Sequence, residues 1–142
     1  MTKIRPLVAG NWKMNGLKES VSKVLAIKDK LSEDKFNPKT DVMICPPAPL
    51  ISTFAELVAD SEISVGGQDC HSEISGAHTG DVSAEMLADS GAVAIIVGHS
   101  ERRTDHGEQD NDVYLKTLAA HRAGLTAIVC VGETESERRS KQ

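Results

Sequence analysis

Five short apolar runs divide the chain, and segments with helical spacing separate them. The runs are Leu7 to Ala9, Val42 to Cys45, Ile63 to Val65, Ala92 to Val97, and Leu125 to Val131. None of them alternates with polar residues, which is typical of strands buried on both faces of a parallel sheet. We therefore predict five parallel strands covered by helices.

The segments between the runs predict four helices. Two of them carry apolar residues on one helical face: Leu17, Val21, Val24, Leu25 and Leu31 in the first, and Leu50, Phe54, Leu57 and Val58 in the second. Pro49 suits the first turn of the second helix. Ser83 to Ser90 and about Asp112 to Ala123 predict the other two, each ending before a glycine suited to a left-handed C-terminal position.

The expected order is therefore β-α-β-α-β-α-β-α-β in a single domain over residues 1–142, or in part of a larger one. Gly66 to Asp81 is the longest irregular stretch, and its length favours a functional or interface loop. The charged tail from Glu133 to Gln142 is compatible with a solvated loop, a frayed terminus or the start of a fifth helix.

Charge and composition narrow the function. The net charge is −5, and one Trp, one Tyr and two Phe offer no stacking platform, which argues against nucleic acid as a partner. No apolar run approaches the roughly 20 residues of a membrane span, and Met1 to Arg5 lacks an apolar leader. Cys45, Cys70 and Cys130 form no CxxC pair. We expect reduced thiols, a cytoplasmic location and no membrane partner.

Polar residues follow the first and fourth runs. Lys13 offers a cation and Asn11 a directional hydrogen-bonding group for an anionic substrate, although the pair taken alone favours a solvated lysine beside a turn-forming asparagine. Ser100 is a candidate N-cap, which places His99 at the start of a short helix, where a neutral imidazole is favoured. Glu101 is either a base or a member of an ion-pair network with Lys13, Arg102 and Arg103, and we favour the network.

Other candidate chemistry is weak. Cys70, His71 and His78 lack the convergent spacing of a zinc site, so no metal site is predicted. No glycine-rich nucleotide-binding pattern occurs, so no cofactor is predicted.

Several motifs resemble the triosephosphate isomerase family. Gly10 to Asn15 and Gly98 to Arg103 are similar to its two signatures, and Cys45 to Pro47, Gly67 to Asp69, Gly76 to Gly80 and Cys130 to Glu133 support them in order and spacing. The resemblance implies a parallel (β/α)8 barrel, here a partial barrel of about five strands and four helices. It also implies interconversion of dihydroxyacetone phosphate and glyceraldehyde 3-phosphate through an enediolate, without cofactor or metal.

The resemblance also implies residue roles. Lys13 would stabilise the phosphate and the developing oxyanion, Asn11 would orient the substrate, and His99 would move protons between the two carbonyl oxygens. Glu101 would hold Lys13. The loop around Thr79 would enter the partner subunit of a homodimer.

A complete barrel of this kind takes roughly 250 residues. In the family the general base follows the sixth strand, beside a lid, and later loops hold the phosphate, so we expect this chain alone to be inactive. A separate C-terminal half could complete a split enzyme. The alternatives are a non-catalytic truncated fragment and a doubly wound α/β module that binds an anion, which would differ from a barrel segment in strand order.

Overall fold

Five parallel strands form one sheet in residues 4–32 and 39–140, the part of the chain that our computed structural model describes. They are β1 (Leu7–Asn11), β2 (Asp41–Cys45), β3 (Ile63–Gly67), β4 (Ala94–Val97) and β5 (Thr126–Val129). The order is β1-β2-β3-β4-β5, without the reversal that a doubly wound sheet requires. The predicted parallel barrel segment is confirmed, with β4 and β5 shorter than the apolar runs that predicted them.

Burial differs between the central and the outer strands. All four residues of β4 are buried. In contrast, Val8 of β1 is 61% exposed and Val129 of β5 is 44% exposed. The prediction of strands buried on both faces is therefore wrong for β1 and β5, because each of them has one neighbouring strand in the described sheet.

The described residues contain six α-helices rather than four. The expected ones are α1 (Val21–Ser32), α2 (Ile51–Val58), α3 (Ala84–Asp89) and α5 (Asp110–Arg122), and the two additional ones are α4 (Ser100–His106) and α6 (Glu135–Ser140). Short 3-10 turns precede α1 and α2. The exposed α6 gives the charged tail a helix, while residues 141 and 142 lie outside the described part. No helix in this part of the chain combines the length and the apolar character that a membrane span requires.

The main core lies between the sheet and α1, α2, α3 and α5. Phe54 is fully buried there and meets the Trp12 ring edge-on at a centroid distance of 5.2 Å. Leu17 and Leu25 were predicted on the buried face of the first helix, but they are 68% and 38% exposed. The helix begins only at Val21, so a single helical wheel drawn from Leu17 assigns these faces incorrectly.

Two kinds of loop connect the helices and strands on opposite edges of the sheet. Gly91 and Gly124 have φ of +95° and +75°, which confirms the left-handed positions predicted after α3 and α5. The long loop after β3 closes on itself, because His71 N–H donates to Val82 O at 2.8 Å.

Candidate active site

Lys13 and Glu101 form an ion pair across the carboxyl edge of the sheet. Lys13 lies two residues after β1, and Glu101 is the second residue of α4, directly beyond β4. Lys13 Nζ lies 2.6 Å from Glu101 Oε1, and both side chains are about half exposed. The hydrogen bond from Lys13 lowers the pKa of Glu101 below its ordinary value, so this carboxyl group is ionised at neutral pH. The site therefore contains a fixed pair of opposite charges open to solvent.

The backbone of Lys13 is left-handed, with φ of +53°. It is the one non-glycine residue of the described chain with positive φ, a conformation that costs about 1–2 kcal/mol. Two side chains hydrogen-bond to this backbone. Asn11 Oδ1 accepts from Lys13 N–H at 2.8 Å, and Gln68 Nε2 donates to Lys13 O at 2.9 Å.

His99 caps the N-terminus of α4. Its Nδ1 accepts a hydrogen bond from Glu101 N–H at 3.2 Å, whereas Ser100, the predicted cap, is the first residue inside the helix. A ring nitrogen that accepts this bond carries no proton, so a neutral His99 carries its proton on Nε2. The cap therefore fixes a tautomer that can donate a hydrogen bond from Nε2.

A largely buried network of charges links α4 to α5 and to the loop after β3. Arg102 contacts both Asp69 and Glu108, and Lys116 binds the same two carboxylates. The expected network joined Glu101 to Arg102 and Arg103 as well as to Lys13. That prediction is wrong for the two arginines, because Arg102 belongs to the buried network and Arg103 pairs with Asp110.

Sequence reasoning missed Lys116 altogether. This residue of α5 lies 47 positions from Asp69, yet its Nζ donates to both carboxylate oxygens of Asp69 at 2.8 Å. No motif or strand end marks it in the sequence, so only the packing of α5 beside the loop after β3 reveals the contact.

The two carboxyl groups of the buried network have opposite pKa shifts. Burial raises the pKa of Asp69 despite the nearby Lys116 and Arg102. Burial also disfavours the charged form of Glu108, but the hydrogen bonds from Lys116 and Arg102 outweigh it and lower the pKa of this group. Glu108 Oε2 is buried without a hydrogen-bond partner in the described structure.

A cavity of about 740 Å³ opens at this edge of the sheet. Asn11, Lys13, His99 and Glu101, the residues to which the resemblance gives roles at the substrate, all line it, and Gln68 lines it beside them. Thr79, to which the resemblance gives a role at the subunit interface, lies instead in the exposed loop after β3.

His71, His78 and Asp81 come together in the long loop, although the sequence suggested no convergent ligands there. Their candidate ligand atoms lie within 4.8 Å of one another. However, His71 Nδ1 accepts a hydrogen bond from Glu73 N–H at 3.0 Å, so the proton of a neutral ring lies on Nε2, which faces Asp81 at 3.9 Å. A protonated nitrogen cannot ligate, so this arrangement favours a contact between histidine and carboxylate over a metal centre.

All three cysteines are free thiols. Burial raises the pKa of Cys45 to about 11 and that of Cys70 to about 12, and it also raises the pKa of the partly exposed Cys130. None of them is activated as a nucleophile.

The fold and the site together define a class of protein. The parallel strands pair in sequential order, helices connect them, and the polar groups gather at their carboxyl ends. These features are those of (β/α)-barrel proteins, whose sites lie at the carboxyl ends of the strands. A family model for triosephosphate isomerase matches residues 6–142, and the chain belongs to this family.

Curated relatives and a solved structure agree with this assignment. The triosephosphate isomerases of Afipia carboxidovorans and a Bradyrhizobium species are 61% and 58% identical to the chain over 136 and 137 residues. A crystal structure of triosephosphate isomerase from Bartonella henselae superposes with a TM-score of 0.89 at 47% identity, covering 97% of this chain and 56% of that one. The first two matches cover 96% of this chain and 53% and 54% of the relatives, so the chain spans about half their length.

Proposed function

We propose that this chain carries part of the active site of a triosephosphate isomerase, which interconverts dihydroxyacetone phosphate and glyceraldehyde 3-phosphate through an enediolate. The observation that carries the proposal is the contact of Lys13 Nζ with Glu101 Oε1 at 2.6 Å, beside His99, whose Nδ1 accepts a hydrogen bond from Glu101 N–H. Membership of the family and the names of the relatives support the substrate class.

Lys13 supplies positive charge to the substrate. An ammonium group at this edge stabilises both a phosphate and an oxygen that becomes negative in the transition state. Glu101 acts as a positioning residue, because its ionised carboxylate holds Lys13 Nζ in place. Asn11 Oδ1 accepts a hydrogen bond from Lys13 N–H, and we assign the NH2 group of Asn11 to the orientation of the substrate.

His99 moves protons between the two oxygens of the substrate. A neutral ring with its proton on Nε2 donates to the carbonyl oxygen and receives a proton from the neighbouring hydroxyl group. This electrophilic role is the one that the family resemblance implies, and the hydrogen bond from Glu101 N–H to Nδ1 supports the tautomer it needs.

The carbon-bound proton must leave to a base that lies elsewhere. In the pattern that the resemblance implies, this carboxylate follows a sixth strand, and the described sheet has five. A positioned base contributes about 10²- to 10⁴-fold in rate. We therefore propose that these 142 residues have little activity alone and that further strands, such as those of the longer relatives, complete the site.

The outer strands support completion by further strands. Ile4 and Val8 near one edge are 92% and 61% exposed, and Val129 and Val131 near the other are 44% and 90% exposed. Unpaired apolar edges favour addition of strands. The alternative is a non-catalytic fragment that still binds an anion, which the exposed ammonium of Lys13 favours.

A second copy of the protein is the proposed protein partner. The loop that contains Thr79 is exposed, and Met14, which lines the cavity beside Asn11, is 95% exposed. Both features suit a homodimer in which the Thr79 loop of each subunit enters the cavity of the other. We further propose that the protein acts without a cofactor or metal, and that it works in the cytoplasm, where its three thiols remain reduced.

A complementation assay tests the proposal. The chain is produced in a host that lacks triosephosphate isomerase and is assayed alone and after mixing with the C-terminal half of the Afipia carboxidovorans relative. We expect turnover only in the mixture, because the supplied half brings the missing base and phosphate loops.

Two variants make the assay specific. His99→Gln removes the proton donor and should abolish the restored activity, whereas His121→Gln changes an exposed histidine of α5 and should preserve it. Turnover by the chain alone contradicts the proposed dependence on further strands. A soluble mixture that binds but does not turn over substrate favours the non-catalytic alternative.

A further inference from the structure

Lys13 is held by contacts at three different points. Its N–H donates to Asn11, its carbonyl oxygen accepts from Gln68, and its ammonium group contacts Glu101. The first contact is local along the chain and the third acts at the far end of the side chain. The contact from Gln68 is thus the long-range one that acts on the left-handed backbone itself.

Gln68 joins the ends of three strands. It directly follows β3, and its single NH2 group donates to Lys13 O at 2.9 Å and to Cys45 O at 2.7 Å. Cys45 is the last residue of β2, and its carbonyl oxygen also accepts from Trp12 N–H at 3.0 Å. Two carbonyl oxygens face the amide, so only its NH2 group, and not its oxygen, fits this position.

We propose that Gln68 is a positioning residue for the isomerase reaction, acting through the backbone of Lys13. This inference rests on the proposed function. The bond to Lys13 O holds the peptide in the left-handed conformation, and the bond to Cys45 O fixes the amide to the sheet. Without the first bond the peptide can relax to a commoner φ, which redirects the lysine side chain away from Glu101.

The chemistry of the site makes this placement important. An ammonium group that must meet both a phosphate and a developing oxyanion acts only from a narrow range of positions, and a displacement of about 1 Å can reduce the rate 100-fold. Glu101 alone cannot define the position, because the Lys13 and Glu101 side chains are 53% and 49% exposed. The hydrogen bond from Gln68 to the Lys13 backbone therefore adds a positional constraint that the solvent-exposed ion pair does not provide.

The test removes both hydrogen bonds with little change in shape. Gln68→Met keeps the length of the side chain and has no donor. In the 142-residue chain labelled for NMR, we expect the three-bond HN–Hα coupling and the Cα shift of Lys13 to leave their left-handed values. Gln109→Met is the matched control. It removes a hydrogen bond from a side-chain amide to the carbonyl oxygen of Gly107, and it should leave both Lys13 signals unchanged.

The kinetic arm uses the complemented enzyme. Gln68→Met should lower kcat/KM about 10- to 100-fold, with a fall in kcat as well as a rise in KM, because Lys13 acts on both phosphate and transition state. The NMR arm needs no turnover, so it still tests Gln68 if the complemented mixture proves inactive. Unchanged Lys13 signals in a folded Gln68→Met variant overturn the inference.

Gln68→Glu provides a second variant if the methionine variant does not fold. Its ionised carboxylate cannot donate to Lys13 O, whereas the protonated form can donate one hydrogen bond. We expect the left-handed Lys13 signals to return as the pH is lowered through the titration of the introduced carboxyl group. Lys13 signals that already match those of the unsubstituted chain at neutral pH contradict the inference.

Discussion

Lys13 Nζ lies 2.6 Å from Glu101 Oε1, although 88 residues separate the two along the chain. The contact exists because β1 and β4 end at the same edge of a parallel sheet, and each residue follows its strand by a few positions. The pair is open to solvent on both sides, so its main effect is to place a charge rather than to stabilise the fold.

Glu101→Gln should separate these two effects. The variant loses the charge beside Lys13 but keeps most of the side-chain shape, so the urea midpoint should change little while the kcat/KM of the complemented enzyme falls about 10-fold or more. Glu135→Gln, which removes the exposed contact with Arg139 on α6, is the control and should change neither quantity. A large loss of stability in the Glu101 variant, with kinetics intact, contradicts this division.

Gly98→Ala should destabilise the chain more than Gly107→Ala. Both glycines have φ of +71°, a left-handed value that disfavours alanine at either position. A Cβ atom at Gly98 would also lie 2.8 Å from both Cγ atoms of the buried Val113, whereas one at Gly107 would meet nothing within 4 Å. We expect an additional cost of about 1–3 kcal/mol at Gly98, measured by urea unfolding.

Adding Val113→Ala isolates the overlap at Gly98. In the Gly98→Ala background this second change should cost less than it does in the unsubstituted chain, because it removes the atoms that the new methyl group meets. Equal costs in the two backgrounds would show that the overlap makes no difference.

The acid stability of the protein should depend on Glu108 and Asp69 in opposite directions. The pKa of Glu108 is lowered from 4.5, so its contribution to stability is present above that value and is lost as the pH falls through the folded-state pKa. The pKa of Asp69 is raised from 3.8, so between that value and its folded-state pKa the native state binds more protons and stability falls as the pH rises.

Unfolding free energies measured from about pH 3 to 6 test these signs. Glu108→Gln should flatten the loss of stability toward acid, and Asp69→Asn should steepen it. The comparison uses the slope of the unfolding free energy against pH rather than its absolute value, because either variant also breaks contacts with Lys116 and Arg102. The same change of slope in both variants contradicts the assigned directions.

The three thiols should differ in their rate of alkylation. Cys45 and Cys70 are buried, with pKa values raised to about 11 and about 12, while Cys130 is partly exposed. Iodoacetamide near neutral pH should therefore modify Cys130 first, as followed by peptide mass spectrometry. Cys130→Ser should remove the fast phase, and urea should make all the remaining thiols reactive. Early labelling of Cys45 or Cys70 in the folded chain would contradict their burial.

The strands follow from features that the sequence displays directly, but the apolar runs do not distinguish their sequential order from that of a doubly wound sheet. Apolar runs such as Ile63 to Val65 predict buried strands, and helical segments between them predict parallel neighbours. The glycines after α3 and α5 mark helix ends because their left-handed backbone favours this residue type. The exposure of Leu17 and Leu25 is not predictable in this way, because it depends on the residue at which the 3-10 turn ends and α1 begins.

The site was only partly predictable, for a similar reason. The position of Lys13 and Glu101 beyond strand ends is visible in the sequence, so their proximity could be expected. The bonds of Gln68 to two carbonyl oxygens and of Lys116 to Asp69 depend on side-chain direction and reach, which residue spacing does not determine. The cap formed by His99 likewise depends on its own φ and ψ rather than on the serine that follows it.

The sequential order of the strands also determines when each part of the site can form on the ribosome. Each strand from β2 to β5 pairs with the strand that is synthesised immediately before it. Gln68 emerges 55 residues after Lys13, and Glu101 emerges 88 residues after it. Both side chains that bind the backbone of the lysine are therefore synthesised before the carboxylate that holds its ammonium group.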